Sequence, residues 1–376
     1  MKKITRLAGV GGLAMAATAL VAGVAAAAPA HHSESDAAVF VQTDATHGNA
    51  IVAYDRAADG SLTQDGTYPT GGVGGVLSGS VVDHLASMGS VVLDRAHGLL
   101  YVVNAGSNTL TVFAVEGDHL TRVQVISSGG TFPVGVATDG NAVYVLNARG
   151  GGAVQGFLRI GDHLFRAPAW HRSLGLDPTL TPEFTNTPAE VSFSPDGNKL
   201  VVTTKGNGTN IDVFGVDRAG GLSARPVVTP DPSTPFGFTF DAAGHLVVAE
   251  SGTNTVATFT LHRDGTLSLV DRVATGQAAT CWIAPAGDHL YASNAGSANL
   301  SGFQDDRSGM LDVLGNTSTD AGTVDAAASA NGRFLYAEAG AAGIVDEFAV
   351  HANGSLTQLG SVTVPGAAGA EGIATS

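Results

Sequence analysis

The chain has 376 residues, with 33 acidic against 18 basic side chains and a formal net charge of −15. Scattered Lys and Arg in an acidic chain lack the basic footprint that nucleic acids and anionic membrane surfaces require. A single cysteine, Cys281, excludes an intramolecular disulfide, so the fold must be held by its core.

The first 30 residues read as a signal peptide. Lys2, Lys3 and Arg6 form a positive n-region, Leu7 to Val24 is uncharged and apolar, and Ala28-Pro29-Ala30 offers a small-x-small cleavage site. Removing those three cations takes the charge from −15 to −18. Residues 31–37 then form an N-terminal tail, and 38–376 a single domain. No later stretch is long enough to span a bilayer. The expectation is a secreted monomer, with no nucleic-acid partner and no membrane attachment after cleavage.

From Ala38 onward the chain repeats a unit of about 45 residues, in which short apolar runs alternate with turn chemistry. Unit one runs from Ala38 through Ile51 to Tyr54 and the turn Asp59-Gly60, and lacks a leading strand. Unit two contains Leu100-Tyr101-Val102-Val103-Asn104, and unit three Val143-Tyr144-Val145-Leu146-Asn147. Unit four, Val191 to Leu222, is the clearest. Ser194-Pro195-Asp196-Gly197 sets a tight turn, Leu200–Thr203 and Ile211–Val216 read as strands, and a fourth strand is expected from Leu222. Units five, six and seven follow around Leu246-Val247-Val248, Leu290-Tyr291-Ala292 and Phe334-Leu335-Tyr336. Four antiparallel strands per unit, and no helical periodicity, make the fold class all-β: a seven-bladed β-propeller. The leftover Glu371-Gly372-Ile373-Ala374 supplies the strand that unit one lacks, so the C-terminal strand closes the ring and removes its open edges.

Two connections are long. Gly71 to Ala86 carries Asp83 and His84, and Arg166 to Thr187 carries Trp170, His171, Arg172, Asp177, Glu183 and Phe184. Both join an outer strand to the next inner strand, so both belong to one face of the disc, together with the turns between second and third strands. That rule gathers Glu190, Asp325 and Glu371 at the starts of inner strands. It adds Asp44, His47, Asn104, Asn147, Arg149, Lys205, Glu250, Asn294 and Glu338 from the turns. Three readings compete for such an axial funnel. It is a solvated channel; or a small-molecule site in which Arg149 and Lys205 hold an anionic group and Glu190 or Glu250 moves a proton; or a divalent-cation site on Glu190, Asp325 and Glu371. No other cofactor or metal is implied. Cys281, in an apolar run, reads as an inert buried thiol.

Phe193-Ser194-Pro195-Asp196-Gly197-Asn198-Lys199-Leu200-Val201-Val202, with Ile211-Asp212-Val213-Phe214, resembles the lactonase family of seven-bladed propellers, which includes 6-phosphogluconolactonase-type enzymes and carboxymuconate cyclases. Val143 to Gly151 is similar to that family's third-blade turn. The resemblance implies lactone hydrolysis or lactonising cyclisation. The family's Pro-His-x-His element falls at Asn186-Thr187-Pro188-Ala189-Glu190, which has no histidine; Glu190 is the nearest ionisable group, with His171 in the preceding loop. On this reading Glu190 activates water, while Arg149 and Lys205 meet the developing oxyanion. The Tyr-Val-x-Asn runs at Tyr101 and Tyr144 are also similar to repeats of surface-layer propellers, which implies the alternative of a non-enzymatic module binding a protein or cell-envelope component.

Overall fold

The computed structural model describes Met1 and residues 37–376. The expected signal peptide, and the tail up to residue 36, lie outside the described residues. Seven four-stranded antiparallel sheets follow one another around a ring. Six blades are contiguous in sequence, with inner strands Val91–Asp94, Pro133–Asp139, Pro188–Phe193, Pro235–Phe240, Thr280–Ala286 and Thr323–Ala328. Blade one is composite: its inner strand is Ile373–Thr375, paired with Ala38–Gln42, followed by Ala50–Arg56 and Leu62–Pro69. The C-terminus thus completes the first blade, as the leftover strand implied. Ser376 N–H donates to Ala38 O at 2.9 Å, adding to the clasp.

The turns form because their residues satisfy them locally. In the Ser-Pro-Asp-Gly turn, Ser194 Oγ donates to Asp196 Oδ1 at 2.7 Å, Asn198 N–H donates to the same oxygen at 3.1 Å, and Gly197 takes φ 68°. These donors, the Ser194 hydroxyl first, lower the Asp196 pKa to about 2. The turns between third and fourth strands use an acid or amide two residues before Ser or Thr: Asp59–Ser61, Asp264–Thr266, Asp306–Ser308 and Asn353–Ser355 are each bonded in this way.

The aromatic of the Leu-Tyr-Val motif ties blade to blade. The buried hydroxyls of Tyr144, Tyr291 and Tyr336 donate to the carbonyls of Gly220, Gly354 and Gly60, each in a hairpin of the following blade, at 2.6, 2.9 and 2.7 Å. Tyr101 is equally buried but its hydroxyl has no partner. In blade four the expected start of the fourth strand at Leu222 is only an isolated bridge to Val216; the outer strand is Val227–Pro230. Pro226, just before it, has no N–H for a ladder bond.

Candidate functional site

The two long connections meet on the same face. Ser78 N–H donates to Glu183 Oε2 at 2.8 Å, and Phe184 N–H reaches Ser78 O. The second is shorter than expected, because the outer strand of blade three runs to Ser173 and absorbs its first residues. Trp170 therefore stacks on Tyr144, with centroids 5.9 Å apart, and His171 lies exposed on that outermost strand. The structure corrects the placement of His171 near the funnel.

The first connection closes the axial mouth. Leu77 and Leu85 are fully buried, and Val82 and Met88 pack against Ala189, Phe236, Trp282 and Val324. The segment is fixed by bonds to several blades: Trp282 Nε1–H to Ser87 O at 2.7 Å, Met88 N–H to Ala189 O at 3.1 Å, and His84 N–H to Gly369 O at 2.7 Å. A Cβ on Gly369 would lie 2.1 Å from His84 Nε2, so glycine is required for that approach. Asp83 orders the turn by accepting the N–H groups of Leu85, Ala86 and Ser87 at 2.8 to 2.9 Å. A loop that carries leucines is drawn inward by their burial. That signal was present in the sequence, and the open-funnel reading overlooked it.

Beneath this plug lies a buried ionisable cluster. Lys205 Nζ donates to Ala86 O and sits 5.1 Å from the Phe236 ring centroid. Burial lowers its pKa to about 7, against the attraction of Asp83. Glu190 accepts the Phe238 N–H at 2.5 Å, and burial, with Asp325 nearby, holds its pKa well above the usual range. Burial likewise raises Asp325 to about 7, and holds Glu371 and Glu338 well above the usual carboxylate range. Glu371 receives Gly89 N–H at 3.1 Å, and Glu338 receives Gly372 N–H at 2.8 Å. Glu190 is thus pushed toward its neutral form and already hydrogen-bonded, which disfavours the base role expected of it. Among the described residues no group of three or more His, Cys, Asp or Glu has the geometry to hold a metal ion.

The turn residues have other work. Asn104 donates to the hydroxyls of Thr109 and Thr111, and Asn294 to Asn299 and Ser301. Asn147 donates to the Ser128 and Val145 carbonyls, at 3.4 Å each. At the same register position of blade five, Glu250 takes three bonds from Arg272, at 2.7 to 3.0 Å, and one from Thr255. The expectation that these four side chains line the funnel is corrected by the two-residue period of a strand. Glu338, aligned one residue earlier in blade seven, is the one in the axial cluster.

Arg149 is separate again. It forms a bidentate pair with Glu183 at 2.6 and 2.9 Å, and its guanidinium lies 4.2 Å from the Phe132 ring centroid. The pair raises the pKa of Arg149 and lowers that of Glu183. It borders a cavity of about 190 Å³ lined by Ala148 to Gly151, Leu176, Asp177, Asn186 and Thr187. The expected trio is therefore divided: Lys205 and Glu190 lie under the plug, and Arg149 lines this cavity. Thr187 is buried, and its hydroxyl has no protein partner.

Residues 173–282, blades four and five with the loop before them, match the family model described as lactonase, 7-bladed beta-propeller. This bears out the resemblance drawn from the blade-four turn. No curated protein sequence matches the chain. Among solved structures, a putative 6-phosphogluconolactonase from Bacteroides fragilis is similar at TM-score 0.70 and 19% identity, over 90% of this chain and 98% of its own. A periplasmic gluconolactonase from Pseudomonas aeruginosa is similar at TM-score 0.66 and 19% identity, over 90% and 98%. A virginiamycin B lyase from Staphylococcus aureus is similar at TM-score 0.53 and 13% identity, over 77% and 89%. At these identities the likeness is one of fold.

Proposed function

We propose that this chain is an exported lactonase-type propeller that binds a small hydroxylated lactone in the cavity beside Arg149 and hydrolyses it. One convergence carries the reading. The third-blade turn through Gly151, which resembles the family in sequence, and the Asn186-Thr187 stretch, which stands where the family's Pro-His-x-His element falls, line the same cavity. The unpartnered Thr187 hydroxyl and the Asn186 amide suit ligand hydroxyls. The solved gluconolactonase of similar fold makes a sugar-type lactone the natural first substrate.

Glu183 replaces Glu190 as the base. Its carboxyl is held ionised by Arg149, so it can take a proton from water as the water oxygen attacks the lactone carbonyl carbon. The Arg149 guanidinium stabilises the oxyanion that forms. Collapse breaks the ring C–O bond, and the leaving alkoxide takes the proton back from Glu183. The hydroxy acid ionises and releases one proton to solvent. Beyond Arg149, which meets the oxyanion, the cavity lining offers no second cation for a phosphate, and Asp177 stands beside it. The substrate is an unphosphorylated lactone.

The test is pH-stat acid release from aldono-, muconate-type and acyl-homoserine lactones, with calorimetric binding alongside. Aldonolactone turnover is expected. Glu183→Gln should lower kcat by about 10² or more, while Glu190→Gln retains it. No turnover and no binding across the panel overturns the proposal; binding without turnover replaces hydrolysis by recognition at this cavity.

A further inference from the structure

The opposite face of the ring carries a second concavity. The axial channel opens there as a bowl of about 550 Å³ between the inner strands of blades two, six, seven and one. Its walls are short: Ala284, Ala326, Ala327, Ala328 and Ala374 leave the space, and Leu93 and Pro285 add apolar surface. The bowl has the size and apolar lining of a small-ligand site.

One cation stands at its wall. Arg95 Nη2 donates to the Thr375 carbonyl at 2.6 Å and to the Thr375 hydroxyl at 3.2 Å. Among the described residues, no side-chain carboxylate lies within ion-pair distance of Arg95, although acidic residues outnumber basic ones 33 to 18. That lack is shared: among the described lysines and arginines only Arg149 and Arg272 form ion pairs, so Arg95 is marked out by its place at the bowl. The neighbouring polar groups are committed elsewhere: Ser329 Oγ donates to Asn331 at 2.8 Å, and Thr375 Oγ donates to Ala328 O. The remaining N–H groups of Arg95 are thus the bowl's main unfilled hydrogen-bonding capacity, in a fork that matches a carboxylate.

We propose that this bowl is a second ligand site, binding a small monocarboxylate by its apolar body against the alanine walls and by its carboxylate on Arg95. It is independent of the lactone reading, and its chemistry differs: that cavity suits hydroxyl-rich neutral molecules, and this one an apolar anion. Weak charge pairing near solvent makes the affinity modest and salt-dependent.

The test uses the whole protein with hexanoate and benzoate as probes, and hexanol and gluconate as controls, followed by calorimetry. Hexanoate and benzoate should bind and the controls should not. Arg95→Gln should weaken binding about tenfold or more, as loss of a charge-assisted bond implies. Ala328→Leu, which fills the bowl without touching Arg95, should abolish it. Lactone turnover in Arg95→Gln stays at the wild-type level, which separates failure of this site from failure of the other. Thermal midpoints close to wild type confirm that both variants fold. Absence of carboxylate binding up to millimolar concentration overturns the proposal, as does binding that neither variant changes. Equal binding of hexanol overturns the role of Arg95.

Discussion

The two faces of this ring are held by different forces. On the loop face, buried charge and a folded-in connection do the work: Lys205 under Ala86, Glu371 under Gly89, Glu250 locked to Arg272. On the opposite face, tyrosine hydroxyls on hairpin carbonyls and turns capped by exposed carboxylates do it. Charge removed from water is sensitive to pH, and neutral hydrogen bonds are not. One disc therefore carries a face with buried carboxyls raised toward neutral pH and a face whose turn carboxylates, held below their ordinary pKa, titrate only in acid.

The largest effect expected comes from breaking charge on the loop face. Glu250→Ala leaves Arg272 facing Asp231 alone at 3.3 Å and should cost about 3 kcal/mol in urea denaturation. Next is pH. Asp325 has a folded pKa of about 7 against an ordinary 3.8, so the folded state binds more protons across that window. Stability contributed by this group is full below 3.8 and is lost as pH rises toward 7, a slope worth on the order of a few kcal/mol. Asp325→Asn should flatten that slope and raise the urea midpoint at pH 8. Lys205 has the opposite sign: its folded pKa, near 7, lies below the ordinary 10.5, so its cost is relieved as pH rises between them.

Smaller effects belong to the other face. Tyr336→Phe orphans the Gly60 carbonyl and should cost about 1 kcal/mol, equally at pH 5 and pH 8. Tyr101→Phe removes a hydroxyl that has no partner, and should leave stability unchanged within about 0.5 kcal/mol or raise it slightly. A pH-dependent cost for Tyr336→Phe would erase the distinction between the faces.

The ring was legible from the sequence because turn residues and apolar runs are local signals repeated seven times. Ser194 to Gly197 announces its own turn, and Ile373 finds Ala38 because one blade was short of a strand. The site was less legible for two physical reasons. A strand's side chains alternate, so an error of one residue moved Glu250 and the three asparagines into a funnel they do not line, while Glu338, gathered with them, does join the axial cluster. Loops, too, take their path from what they bury: Asp83 and His84 were noticed as polar, whereas Leu77 and Leu85 decide that the connection folds over the axis. Glu183 was noticed only as a residue of the long connection, because its ion pair with Arg149, 34 residues away, is not a local signal.

The composite first blade sets an order of events. During synthesis the strand Ala38–Gln42 emerges well before its partner Ile373–Thr375, 335 residues apart when counted from Ala38 to Ile373. No growing chain, however much of it has left the ribosome, contains a finished ring. Until the final residues are released, Ala38–Gln42 presents a bare edge to whatever is nearby, including a neighbouring copy's own last strand. Growth conditions that crowd nascent chains together should therefore favour exchanged rings, in which one molecule's end completes another's beginning.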